Sequence, residues 1–336
     1  MCYCKAKPLT RIRITFCSLH KASMQLKDYI KQLIQRMFST IQSLLVFITR
    51  VLFAYLYTVY RFVIPRSPKS VVGKVVLITG AGHGIGKETA LKFARLGATL
   101  VLWDLNKTDN EQTAEEARNV GAGACAYTVD VSNKNAVYAA GKRVTDEVGN
   151  VDILINNAGV LVGEELLELT DEQIERTFNV NILAHFWILR AFLPSMLERN
   201  DGHIVTVASM AGHFGWHRLV DYSASKFAAV GLDDALRREL KMLKKTGIHL
   251  SIVCPNFVST GLIHNVSQRI GKIITADDVA EAIIYGVQRN EREIFPKATY
   301  ESPLQIILNK ILPFRVLEVL EEAFEIKIGS QSKKEL

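Results

Sequence analysis

The 336-residue chain has no cysteine pattern that would staple a secreted fold. Its five cysteines are odd in number, and Cys2, Cys4 and Cys17 crowd the first 17 residues. Cys125 and Cys254 sit in apolar, strand-like runs, where a free thiol behaves as a small hydrophobe, so a reducing compartment is expected. Metal-ligand spacings are missing too, and no metal is expected. At 49% hydrophobic and 22% charged residues, the composition excludes a disordered chain. Acid is scarce at one end only. Through Lys74 there are 13 Lys/Arg against a single acid, Asp28, while the whole chain is +7, which leaves the remainder at −5. The basic charge therefore belongs to an N-terminal appendage, which suits an anionic membrane surface and not nucleic acid.

A charge-free run of about 18–20 residues, as a simple membrane span needs, is also absent. Residues 37–65 are largely aliphatic and aromatic, but Arg50 and Arg61 interrupt them. On a helical wheel Arg36, Ser43, Arg50, Ala54, Tyr57 and Arg61 share one narrow sector, opposite Leu44, Leu45, Phe53, Leu56 and Val59. A thin basic stripe on an apolar body favours a helix lying in the interface over a tilted span with snorkelling arginines. No small-residue cleavage site follows, and Pro65-Arg66-Ser67-Pro68 reads as a stiff linker. The expected organisation is a basic leader (1–36, with Met24 an alternative start), an anchor (37–65), a linker (66–73), one large domain (74–295) and a helical tail (296–336). In the tail, Pro303 and Pro313 bracket an apolar run that either faces a membrane or packs on the domain. The closing Lys-Lys-Glu-Leu reads as a solvated end.

What the chain does have is a repeated alternation of strand and helix. Residues 74–80, KVVLITG, form an apolar strand that ends in glycine, and AGHGIG leads from it into a helix. Gly80, His83, Gly84, Ile85 and Gly86 then turn backbone N–H groups and a positive helix end toward a pyrophosphate. The next strand, ATLVLWD, ends in Asp104, whose carboxylate accepts from ribose hydroxyls and repels a 2′-phosphate. That favours NAD over NADP, with Lys107 nearby pulling the other way. A third strand, CAYTVD, brings Asp130 and Val131 to the adenine, and VDILI runs into Asn156-Asn157-Ala158-Gly159. The pattern argues an α/β fold: a Rossmann-type, doubly wound parallel sheet of about seven strands behind an N-terminal membrane-anchoring helix.

Tyr222 and Lys226 bound the segment YSASK in a helical run, four residues apart and so on one face. An ammonium beside a phenol favours the phenolate, which makes Tyr222 a general base for an alcohol or an acid for a carbonyl. Taken together, TGAGHGIG at 79–86, NNAG at 156–159 and YSASK at 222–226 resemble the short-chain dehydrogenase/reductase family over residues 70–295. The resemblance implies a catalytic tetrad, matched here by Asn181, Ser209, Tyr222 and Lys226. Tyr222 would move the proton, Lys226 would hold the nicotinamide ribose, Ser209 would bond the substrate oxygen and Asn181 would hold a relay water. It also implies cofactor contacts at Asn157, Ala158 and Gly159, and at Pro255, Val258 and Thr260, although Asn256 stands where the family has glycine.

Substrate is expected to meet residues 160–169, 211–220 and 261–275, which are rich in Leu, Val, Phe, Trp and Ile. His213 and His217 are read as pocket lining. The anchor with LVLWDLN, NILAHFW, GHIVTVAS, SKFAAVG and CPNFV resembles the branch of the types 11 and 13 17-beta-hydroxysteroid dehydrogenases and membrane-bound retinol dehydrogenases. That branch implies an NAD-dependent oxidation of a lipophilic alcohol by a homodimer at the endoplasmic reticulum or lipid-droplet surface, with the catalytic domain in the cytosol. Two other readings stay open: an NADPH-dependent reductase of lipid ketones or aldehydes, and a non-catalytic NAD-binding droplet protein.

Overall fold

The structure is a computed structural model that describes residues 9–262, 266–267, 273–296, 302–313, 315–319 and 327–328. Cys2, Cys4, most of the 261–275 segment and the closing Lys-Lys-Glu-Leu lie outside the described residues. The chain forms two compact units, Met1–Arg66 and Ser67–Leu336. Helix α1 (Leu9–Val63) makes up the first. Pro8 and Pro65 bracket it, and no proline or glycine lies between them. Nothing in the backbone stops a helix at the change of composition near residue 36, so leader and anchor are one rod. From Met24 onward its described large apolar side chains are exposed, Phe53 and Tyr55 among them, and the stretch His20–Arg61 is long and apolar enough to cross a bilayer.

The second unit alternates strands and helices. In order they are β1 (Val75–Thr79), α2 (Gly84–Arg95), β2 (Thr99–Asp104), α3 (Lys107–Asn119), β3 (Ala124–Thr128), α4 (Lys134–Glu147) and β4 (Ile153–Asn156). Then come α5 (Asp171–Phe178), α6 (Ala184–Arg199), β5 (Gly202–Val207), α7 (Val220–Met242), β6 (Ile248–Val253), α8 (Ala276–Arg289), β7 (Glu293–Ile294) and α9 (Ser302–Ile311). The seven strands form one sheet in the order β7-β6-β5-β4-β1-β2-β3, and every pairing is parallel.

A parallel sheet needs both faces covered, and alternate residues of each strand supply the two cores. Val76, Ile78, Leu100, Leu102, Ile153 and Ile155 pack against α2, α3 and α8. Leu77, Val101, Trp103, Leu154, Ile204 and Leu250 pack against α4, α6 and α7 on the other face. Sequence order reverses between β1 and β4, so the loops there part in opposite directions and open a crevice at the strand ends.

The helical run expected from Asp171 to Asn200 is interrupted. Between α5 and α6 the residues Asn179–Leu183 make a π turn, one residue wider than α. At the tail, Ile306 of α9 packs on a small core of Ala208, Met210, Ile252 and Cys254, while Ile307 and Ile311 stay exposed.

Candidate active site

The glycine turn after β1 is shaped for close backbone approach. Gly80 and Gly84 have φ of 65° and 56°, a region that disfavours other residues. At Gly86 a Cβ would overlap the Gly80 carbonyl and come within 2.7 Å of the Asn157 amide nitrogen. The N-cap of α2, His83, makes no side-chain cap, so the first N–H groups of that helix are left to a ligand. Thr79 and Asn157 lock the turn to β4. Thr79 Oγ1 accepts from the N–H groups of Asn157 and Ala158, both at 3.0 Å, and Asn157 Nδ2 donates to the carbonyls of Thr79 and Gly80. Thr79 was not expected at the site; its signal was a buried hydroxyl residue at the last position of an otherwise aliphatic strand.

The cavity itself is lined by Gly80, His83, Gly84, Ile85, Asn157, Ala158 and Gly159. Ser209, Tyr222 and Lys226 line it as well, with Pro255, Asn256, Val258 and Thr260. Thr260 rests on Gly84, 3.3 Å from where a Cβ would stand. Leu161, Trp216, Leu219, Phe257 and Leu262 add an apolar wall, with the Trp216 and Phe257 rings edge to face at 6.1 Å. Asn181, Gly86, Asp104, Asp130 and Val131 do not line the cavity.

Asp104, at the end of β2, is buried, and its two oxygens accept from the N–H groups of Gly82 and Asn106, both at 2.8 Å. It thereby ties the glycine turn to the α3 entry. Asp130 accepts from the N–H and hydroxyl of Ser132.

Ser209 follows β5 in extended conformation, with Oγ accepting from Ala211 N–H at 3.1 Å. Gly212 lets the turn press on α7, since a Cβ there would be 2.8 Å from Lys226 O. That contact sets Ser209 beside Tyr222.

Lys226 Nζ donates to Val207 O at 3.0 Å and lies 5.5 Å from the centre of the Tyr222 ring. Burial pushes the Tyr222 phenol up to about 12, against the pull of its hydrogen bond with Ser209. Burial also lowers Lys226 to about 8. The expectation that Lys226 lowers the phenol is therefore not met in the protein alone: desolvation outweighs an ammonium that sits over the ring and bonds a backbone carbonyl.

Asn181, within the π turn, clamps the loop after NNAG. Its Oδ1 accepts from Val160 N–H at 2.8 Å, and its Nδ2 donates to Val160 O and Ser225 Oγ. Neither expected histidine lines the pocket. His213 faces the Cys254 thiol at 3.5 Å, and His217 is exposed beside Glu165. Among the described residues no cluster of acids, histidines or cysteines could hold a metal.

A sequence model of the short chain dehydrogenase family matches residues 74–271. The chain is a short-chain dehydrogenase/reductase. Human 17-beta-hydroxysteroid dehydrogenase 13 is 46% identical over 297 residues, which cover 87% of this dehydrogenase and 98% of the relative. The dehydrogenase thus falls in the branch of the types 11 and 13 enzymes and is an oxidoreductase.

Two solved structures share its fold. A short-chain dehydrogenase/reductase from Burkholderia phymatum, in complex with NAD, has a TM-score of 0.65 and 29% identity and covers 78% of this chain and 99% of its own. A metagenomic short-chain oxidoreductase in complex with NADP has a TM-score of 0.58 and 28% identity and covers 68% and 99%. The glycine cradle that side chains would fill, with its uncapped helix end, fits a nicotinamide dinucleotide.

Proposed function

We propose that the dehydrogenase oxidises the hydroxyl of a lipophilic alcohol with NAD, from a membrane or lipid-droplet surface and with its catalytic unit in the cytosol. The observation that carries this reading is one cavity whose lining joins Ser209, Tyr222 and Lys226 to a dinucleotide cradle and to apolar side chains. The nicotinamide, when bound, accepts the hydride from the carbinol carbon. Tyr222 takes the hydroxyl proton, Ser209 donates a hydrogen bond to the substrate oxygen as charge shifts, and Lys226 stabilises the phenolate. Asn181 fixes the Val160 loop and keeps a second Oδ1 lone pair for a water.

Val258, Thr260 and Pro255 bracket the nicotinamide end. Asp104, Asp130 and Val131 serve the adenosine end, where the Asp104 carboxylate favours NAD. Leu161, Trp216, Leu219 and Phe257 suit a rigid apolar alcohol, and the name of the human relative makes a 17-beta-hydroxysteroid the first candidate, with retinol beside it.

A second reading follows from Tyr222 itself. Its hydroxyl can equally give a proton to a carbonyl oxygen, so reduction of a lipid ketone or aldehyde is the second reading. For the homodimer, support comes from an apolar groove between α6 and α7, lined by Phe186, Leu189, Leu193, Leu232 and Leu236.

The deciding experiment assays the full-length protein in lipid vesicles on steroid, retinoid and fatty alcohols and their carbonyls, with all four cofactor forms, beside Tyr222→Phe. The reading expects NAD-linked alcohol oxidation that falls at least about 100-fold in the phenylalanine variant while NAD binding persists. Turnover by Tyr222→Phe within about tenfold of wild type would end it.

A further inference from the structure

Tyr222 is the third residue of α7, and helices are loosest at their ends. The N-cap of α7, Leu219, makes no side-chain hydrogen bond, so the usual fastening of a first turn is missing. Leu219 packs instead with Tyr222 and Phe257 in a small apolar core. Asp221, immediately before the tyrosine, supplies a polar contact of another kind. It is 4% exposed, and its Oδ2 accepts from Thr177 Oγ1 of α5 at 2.7 Å. Its Oδ1 is buried and has no hydrogen-bond partner among the described residues.

Stability does not account for this carboxyl. A buried polar atom without a partner is a cost, and an alanine at 221 would remove it. Nor does Thr177 need Asp221. Its single hydroxyl hydrogen also has the Gln173 carbonyl in reach at 3.0 Å, the local bond that a helical threonine makes by itself. What the carboxyl does supply is a short, directed tie between two helices, placed at the turn that lacks a side-chain cap. The positive end of α7 also favours an acid in that first turn.

A second tie lies one turn further along both segments. Asn181, four residues after Thr177, donates to Ser225 Oγ at 3.0 Å. Ser225, four residues after Asp221, donates in turn to the Tyr222 carbonyl at 2.7 Å. The tyrosine is thus held at the residue before it and at its own carbonyl oxygen. We propose that Asp221, acting through Thr177, is a positioning residue that sets Tyr222 for proton transfer. The proposal rests on the reading of Tyr222 given above. Cutting the tie to Thr177 frees the first turn of α7 to shift. A long side chain magnifies that shift at its hydroxyl, which must stay within reach of Ser209 and the substrate oxygen.

The test compares full-length Asp221→Ala, Asp221→Asn, Thr177→Val, the double variant Asp221→Ala with Thr177→Val, and Tyr222→Phe with wild type in lipid vesicles. The readouts are amide hydrogen exchange over residues 220–226, the cofactor Kd, and kcat and KM for the alcohol of the panel above that wild type turns over fastest. Asp221→Ala is expected to speed exchange over 220–226 and lower kcat by about tenfold, with KM and Kd within about twofold. Thr177→Val should do the same. The double variant should stay within about twofold of the worse single one, because one tie cannot be lost twice. Asparagine keeps an acceptor for Thr177, so Asp221→Asn is expected to recover most of the loss.

An alanine variant with wild-type exchange or wild-type kcat overturns the proposal. So does an asparagine variant as impaired as the alanine one, or a double variant in which the two losses multiply. If Asp221→Ala does not fold, Thr177→Val beside Asp221→Asn carries the test, and a valine variant with wild-type exchange or kcat overturns the proposal. An active Tyr222→Phe would sink the underlying reading, whereas a dead Tyr222→Phe beside a normal Asp221→Ala sinks this inference alone.

Discussion

Replacing Lys226 by methionine is expected to stabilise the protein while abolishing turnover. The lysine is 3% exposed, and among the described residues its partners are the Val207 carbonyl and the Tyr222 ring, with no carboxylate paired to it. Holding an ammonium at about 8 rather than 10.5 corresponds to a folding penalty of about 3 kcal/mol at neutral pH. Methionine keeps the length and removes that penalty, but it loses a charged hydrogen bond and leaves Val207 O short of a donor, about 1–3 kcal/mol. The balance is a gain of about 1 kcal/mol, or a Tm higher by about 2–4 °C.

The pH dependence gives the sharper signature. The folded pKa lies below the unfolded one, so between about 8 and 10.5 the unfolded chain binds the extra proton and stability rises with pH. Below about 8 the whole penalty is felt. Tyr222 acts oppositely, but only above 10, where the unfolded phenol begins to ionise. Thermal unfolding of both proteins in one detergent should therefore show the methionine variant ahead at about pH 7 and no longer ahead by about pH 9.5, where most of the penalty of about 3 kcal/mol is gone. A methionine variant less stable than wild type at the lower pH, or a gap that ignores pH, would refute the reasoning.

Two further outcomes can be checked. Asp104→Asn keeps an acceptor for the Gly82 or Asn106 N–H and removes the charge; the NAD-to-NADP ratio of kcat/KM should fall by at least about tenfold, and an unchanged ratio would show that Asp104 does not choose the cofactor. For the anchor, residues 37–65 fused to a fluorescent reporter should reach both reticulum and droplets, while Arg50→Leu with Arg61→Leu should confine it to the bilayer. Glycosylation of the wild-type protein at Asn106 would place the catalytic unit on the wrong side.

Much of this was legible because local chemistry and global fold agree. Strand, glycine turn and helix at 74–95 announce themselves by period and by punctuation, and Tyr222 and Lys226 share a face by spacing alone. The π turn at Asn179–Leu183 was not legible, because its apolar and polar residues satisfy an α period equally well. Nor was the fate of His213 and His217. A loop sequence says which side chains are near a pocket, but the direction each takes depends on Cys254 and Glu165, which arrive from elsewhere in the chain. The direction of the Tyr222 shift was missed for a related reason: spacing gives a neighbour, while burial is a property of the assembled fold.

The strand order has a consequence for synthesis. β1 sits mid-sheet, yet its partner on one side, β4, is encoded far downstream: Val76 pairs with Ile153, 77 residues later. At about 5–20 residues per second, ribosomes leave that flank of β1 open for roughly 4–15 s after β1 is made. During that time Val76, Leu77 and Ile78 present an apolar strand with unpaired backbone groups, the kind of edge that recruits other chains. The nascent dehydrogenase is thus most exposed to misassembly before its fourth strand is translated, which makes that interval the one in which a chaperone would matter most.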